Sequence, residues 1–220
     1  MKVVAFVPIK MNNERFPGKN TVKLTDGTPL CNLLFNTLTK VDEIDESYCF
    51  CSDDSICQYL PETITFLKRD KKLDSKQTTA NDIIESFISM VDADIYVKAQ
   101  VTSPFLSAQT IKDCINAVIN NDSDSSTTVE DLHSFLWNKT GPVNYDLSKV
   151  ARTQDLEPLM RETTGVYVFR KDLFIKEHRC LGKHPYLKAI NAIEALDLDY
   201  PEDFEIINAV YSHRISISKQ

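Results

Sequence analysis

Short apolar runs rich in β-branched and aromatic residues alternate with stretches of helical period, and this alternation limits the fold more than any other feature of the chain. The runs are "VVAFVPI" (3–9), "YCFCS" (48–52), "TITFLKR" (63–69), "DIYVKAQV" (94–101) and "GVYVFR" (165–170). Several lack in-out alternation, as strands buried on both faces do, and they read as central parallel strands. Between them, Ile83, Ile84, Phe87, Ile88 and Val91 fall at helical spacing behind Thr79-x-x-Asp82, a capping-box pattern, and Ile111, Cys114, Ile115, Val118 and Ile119 repeat the spacing. The β-α-β-α order implies one α/β domain over 1–220, an open, mostly parallel sheet with helices on both faces. The rhythm breaks at about 120–162. There "NNDSDSS" is a polar turn and "NKTGPVNYDLSKVARTQDLEP" has no period, so this part reads as an excursion from the sheet.

Charge narrows the partners. A net charge of −7 argues against a general nucleic-acid or acidic-membrane surface, since polyanion binding draws on clustered Lys and Arg. The apolar start of "MKVVAFVPIK" is too short for a membrane span or a signal-peptide core, which points to a cytoplasmic protein. The six cysteines (31, 49, 51, 57, 114, 180) are scattered without CxxC pairs and read as reduced core residues.

In open α/β sheets ligands bind at the carboxyl ends of the strands, and here the first such loop is "PIKMNNERFPGKN" (8–20). It offers Lys10, Arg15 and Lys19 as cations, Asn12 and Asn13 as short hydrogen-bonding groups, and Gly18 for close backbone approach. That set suits a nucleotide triphosphate, although neither GxxxxGK[ST] nor GxGxxG occurs. No Ser-His-Asp or Cys-His arrangement stands out for covalent catalysis. Asp197 and Asp199, two carboxylates at i and i+2 that share one face of a strand, suit a hard cation. The other reading of this pair is helix capping, because Pro201 sits well at a first helical position and leaves Tyr200, a poor N-cap, before it.

The opening loop resembles the first motif of the sugar-acid cytidylyltransferases, in which a strand ends in a basic turn followed by P-x-K-N. Three further stretches follow in that family's order: "AQVTSPF" (99–105) is similar to Q-P-T-S-P-L, "GVYVF" (165–169) to its G-x-Y strand, and "DLDYPEDF" (197–204) to D-I-D-T-P-E-D-L. The resemblance implies a Rossmann-like three-layer α/β domain with an inserted dimerisation arm, hence a homodimer. It also implies CTP and a 2-keto sugar acid as substrates, a CMP-sugar and pyrophosphate as products, and Mg²⁺ as cofactor. Catalysis would then rest on positioning and electrostatics. Carried over residue by residue, it makes Lys19 and Asp199 catalytic, and Lys10, Asn13, Lys19, Asn20, Arg69 and Thr78 (with Thr79 beside it) nucleotide-binding. Gln100, Arg152 (or Arg161) and Tyr167 become substrate-binding, and Asp197 and Asp199 the metal ligands. Lys10 stands where the family has Arg, and Asn13 where many members have Ser. Around "DLHSFLWNK" (131–139) the family's Lys near His-Pro is replaced by Leu136 and Trp137; Trp137 either stacks on a sugar or fills the arm. The acid can therefore be another nonulosonic-type sugar or a phosphonate. Asp197-x-Asp199 also satisfies the D-x-D of nucleotide-sugar glycosyltransferases, and a non-catalytic nucleotide sensor is a third reading.

Overall fold

The computed structural model describes residues 1–120 and 122–218. Its sheet strands are β1 (Val3–Ile9), β2 (Glu46–Cys51), β3 (Ile64–Lys68), β4 (Ile95–Ala99), β5 (Ser125–Leu132), β8 (Leu159–Arg170) and β9 (Pro185–Ala189); β6 (Trp137–Asn138) and β7 (Gly141–Pro142) form a separate two-stranded ribbon. The helices are α1 (Leu30–Leu38), α2 (Ala80–Met90), α3 (Ala108–Ile119), α4 (Lys171–Glu177) and α5 (Pro201–Ser218). The sheet order is β3-β2-β1-β4-β8-β5-β9. Strand β1 pairs in parallel with β2 and β4, β2 with β3, and β5 with β9.

Each face of β1 feeds a different core, which is why the strand is apolar throughout. Val3, Ala5, Val7 and Ile9 join the cluster of α1 and α3, whereas Val4 and Phe6 join Phe87 of α2 and Tyr96 of β4 on the other side. Phe6 stacks on Phe87 with ring centroids 4.2 Å apart. The expected capping box starts α2: Thr79 and Asp82 exchange side-chain-to-backbone hydrogen bonds. No helix among the described residues is long and apolar enough to cross a membrane.

Three expectations need correction. The "GVYVFR" strand is not parallel: β8 runs antiparallel to both β4 and β5, because its chain returns directly from the excursion without a crossover helix. The excursion is shorter than 120–162. Residues 125–132 are strand β5, inside the sheet and largely buried, and the segment that leaves it is 133–158. Its polar threonines and serines hid it, since Ser126 and Thr127 satisfy their buried hydroxyls on the Cys114 and Val166 carbonyls at 2.8 and 2.9 Å. Asn121 of the preceding polar turn lies outside the described residues. Finally, Cys57 is exposed and Cys180 only partly buried, whereas Cys31, Cys49, Cys51 and Cys114 are in the core as expected.

Candidate active site

At the carboxyl end of β1, Gly18 takes a left-handed conformation (φ 73°), which lets the chain turn into a short 3₁₀ helix at Lys19–Thr21. Two side-chain amides fix the loop by donating to one carbonyl, that of Lys10: Asn13 Nδ2 at 3.0 Å and Asn20 Nδ2 at 2.8 Å. Asn20 is buried, so one N–H of its amide shapes the loop, and its second N–H and its oxygen remain for other partners. The loop borders a cavity of about 430 Å³ lined by Lys10, Asn13, Arg15 and Lys19. Asn12 lines both this cavity and a neighbouring one of about 720 Å³.

Lys19 reaches across the chain. Its Nζ donates to the Leu198 carbonyl at 2.8 Å and to Asp199 Oδ1 at 3.0 Å, a link between residues 180 positions apart. Arg15 holds the other carboxylate oxygen of Asp199 at 2.9 Å, and its guanidinium lies 5.2 Å from the Tyr200 ring centroid. The segment is seated by Leu198, which is fully buried and donates its N–H to the Thr102 carbonyl at 2.8 Å. Residues 197–199 are irregular backbone, so the expected strand face is corrected; buried Leu198 between two aspartates had imitated strand alternation. The capping reading also falls. Asp203 Oδ2 accepts the N–H groups of Asp199 and Tyr200 at 2.9 and 2.7 Å, which caps the start of α5 without the side chain of Asp197 or Asp199.

Asp197 is the most unusual group here. Its Oδ1 is buried with no hydrogen-bond partner among the described residues. Burial pushes its carboxyl above the usual carboxylate range, Thr102 hydrogen bonding offsets part of this, and the charge of Asp199 adds to the rise. A divalent cation has a use for such an oxygen. Among the described residues no cluster of three or more His, Cys, Asp or Glu forms a complete metal cage. The buried Asp197 Oδ1 suits a hard ion, which would share Asp199 with Lys19 and Arg15 and complete its shell with phosphate and water.

Arg69 lines the larger cavity with Ser52 and Asp74. It is buried, ion-paired to Asp74 and 5.8 Å from the Phe50 ring centroid, and its Nε has no hydrogen-bond partner among the described residues. Thr78 is half-buried just before α2, while Thr79 is occupied as the N-cap. Gln100 follows β4, half-buried, with its N–H on the Gly165 carbonyl at 3.0 Å. Tyr167 is buried on β8, donates to Glu162, and carries Lys98 Nζ 4.6 Å from its ring centroid. Burial lowers the Lys98 pKa and raises that of Tyr167, where the bond to Glu162 adds to the rise.

The two arginines expected to bind the substrate stand apart. Arg152 is exposed and bonded to Asp155 at 2.7 Å; Arg161 pairs with Glu130 at 2.7 Å. Among the described residues neither makes a hydrogen bond or ion pair to the loop at 10–20. Trp137 is 59% exposed and donates to the Tyr145 hydroxyl at 2.7 Å, so it belongs to an aromatic group on the arm's surface rather than to a core. Sequence reasoning missed Asp203, Glu162, Lys76 and Lys98. Lys98 did carry a signal, as the one charge inside the buried run "IYVKA". Lys76 carried none, because only the tertiary fold brings it to the loop.

A family model described as cytidylyltransferase matches residues 4–220. The chain is similar to an N-acylneuraminate cytidylyltransferase of Streptococcus agalactiae serotype V, 26% identical with 93% of this chain and 52% of the relative covered. It thus spans about half the length of the curated relatives of that kind that it matches. A 3-deoxy-manno-octulosonate cytidylyltransferase of Christiangramia forsetii is 22% identical, covering 93% of this chain and 94% of that one. Among solved structures, a CMP:2-keto-3-deoxy-manno-octonic acid synthetase complexed with CTP superposes with a TM-score of 0.72 at 13% identity, over 97% of this chain and 100% of that chain. A 4-diphosphocytidyl-2C-methyl-D-erythritol synthase from Anaerococcus prevotii gives 0.67 at 13% identity, over 96% of each. At these identities the structural likeness speaks for the Rossmann-like α/β fold.

Proposed function

Because the chain belongs to the cytidylyltransferase family, we propose that it transfers the cytidylyl group of CTP to the hydroxyl of a 2-keto sugar acid, giving a CMP-sugar and pyrophosphate. The observation that carries this reading is the contact of Lys19 with Asp199, which joins a cationic loop to a pair of carboxylates at the mouth of the sheet. The acceptor hydroxyl attacks the α-phosphorus and gives up its proton to water, while the bond to the β-phosphate oxygen breaks and pyrophosphate leaves with the electron pair. Lys10, Arg15 and Lys19 hold and neutralise the phosphates; Asn13 and Asn20 keep the loop in shape around them. Arg69 and the cavity it lines take the nucleoside, with Thr78 from the segment before α2, and Gln100 with Tyr167 faces the acceptor. Asp197 and Asp199 would hold Mg²⁺, which supplies charge neutralisation on the phosphates.

The exposed apolar groups of the arm, among them Phe135, Trp137, Leu147 and Val150, support a homodimer in which the arm rests on a second copy and Arg152 reads the acceptor's carboxylate there. The test is pyrophosphate release from CTP with a panel of acceptors: N-acylneuraminate, 3-deoxy-manno-octulosonate, other nonulosonic acids and a phosphonate. Release with a sugar acid and not with the phosphonate supports the reading. Release with the phosphonate alone moves the acceptor class, and release with none overturns the reading.

A further inference from the structure

The cavity beside Lys19 receives one cation that the loop itself does not carry. Lys76, from the segment between β3 and α2, lines the same cavity as Lys10, Arg15 and Lys19. Its ion partner is Glu14, the one acid among the residues lining that cavity, at 2.9 Å. Both side chains are largely exposed, at 72% and 58%. A pair so exposed is screened by water and adds little to the fold, so it yields easily to a better partner. A polyphosphate is such a partner, with several full charges and many acceptor oxygens against the single carboxylate of Glu14. The neighbouring cations also rest on a carboxylate, Lys19 and Arg15 on Asp199.

Building on the cytidylyl-transfer reading, we infer that Lys76 is a polyphosphate-binding residue of this site, and that Glu14 clasps it until the triphosphate of CTP takes its place. The exchange joins the loop at 10–18 to the segment leading into α2 through a shared ligand. It thereby draws the two walls of the phosphate cavity together. Glu14 then acts as a competitor: it lowers affinity for the anion while keeping Lys76 pointed at the cavity.

The test is calorimetric binding of CTP, pyrophosphate and CMP to the full chain. Lys76→Gln is expected to weaken CTP and pyrophosphate by about tenfold, the scale of one charge-assisted contact, and to leave CMP unchanged. Glu14→Gln is expected to tighten both polyphosphates several-fold, and this gain should shrink in the Lys76→Gln background. Both positions are exposed, so unchanged melting temperatures will show that the variants fold. Unaltered CTP and pyrophosphate binding in Lys76→Gln would overturn the inference, as would equal weakening of CMP. Lys76-dependent pyrophosphate binding in a protein that ignores CTP would uphold the clasp and sink the cytidylyl-transfer reading instead.

Discussion

The loop around Lys19 and the arm at 133–158 are both rich in polar residues and low in regular structure, yet they are built in opposite ways. At the loop, contacts cross the whole chain: Lys19 to Leu198 and Asp199, Arg15 to Asp199, Leu198 to Thr102. In the arm, among the described residues, hydrogen bonds and ion pairs stay local, with Arg152 on Asp155 and Trp137 on Tyr145. Asn20 of the loop and Leu198 of the facing segment are buried anchors, whereas the arm buries Leu156 but leaves Phe135, Trp137, Leu147 and Val150 exposed. The difference separates contacts that the chain makes across its own fold from a surface that, on the proposed reading, rests on a second copy. Substitutions in the loop should act on chemistry in every molecule, and substitutions in the arm on whatever the arm meets.

The strongest way to break this contrast is Lys19→Ala. It should lower kcat/KM for CTP by about 2–4 kcal/mol, the scale for removing one preorganised charged donor. Steady-state kinetics at varied CTP checks this, and an unchanged kcat/KM would make the loop no more functional than the arm.

The carboxylates come next. Asp199→Asn should cost more than about tenfold in turnover even at saturating Mg²⁺, while α5 keeps its cap because Asp203 supplies it. Asp197→Asn should lose turnover and yet gain about 1 kcal/mol of stability and melt higher, since it removes the charge from a buried oxygen without a partner among the described residues. The sign with pH follows from the raised pKa of Asp197. The folded protein holds that proton more tightly than the unfolded chain, so the cost of ionised Asp197 is full above its folded pKa. It is relieved as pH falls toward the ordinary aspartate range. Melts across pH should therefore show the advantage of Asp197→Asn at neutrality closing on acidification; a variant that melts lower at every pH would make Asp197 a structural residue.

Smaller effects belong to the arm. Arg152→Lys keeps the charge and loses the fork, so the Michaelis constant for the acid should rise several-fold while that for CTP holds. Mixed dimers of Arg152→Ala and Asp199→Asn chains should regain activity if the arm serves its neighbour. An equal rise in both constants would place Arg152 at the nucleotide, and no change in either would transfer the carboxylate to Arg161. Smallest of all, Trp137→Ser should leave monomer stability within about 0.5 kcal/mol, as an exposed residue allows. Light scattering should show a lower dimer fraction; a collapse in stability would mean that the tryptophan is core.

How far these regions were legible in the sequence follows the same division. Strands β1 to β4 and helices α2 and α3 announced themselves by apolar period, and Gly18, Lys19 and Asn20 by motif. Strand β5 did not, because Ser125, Ser126, Thr127 and Thr128 are buried polar residues whose hydroxyls find partners only once the fold exists. The direction of β8 was hidden as well, since a strand's composition does not record which way its neighbour runs. At the site, residue types were readable and pairings were not. Asp203 as the cap of α5, Asn13 and Asn20 sharing the Lys10 carbonyl, and Lys76 facing Glu14 are all products of tertiary geometry.

On the proposed function, the cationic loop and the 197–199 segment transfer a cytidylyl group from CTP to an acid. Phosphorus NMR of CTP incubated with a sugar acid that supports turnover tests it most directly. The account predicts one new phosphodiester resonance and free pyrophosphate in equal amounts, both dependent on the acid and both lost in Lys19→Ala. Conversion of CTP to CDP or to free CMP regardless of the acid, or transfer indifferent to Lys19, would contradict it.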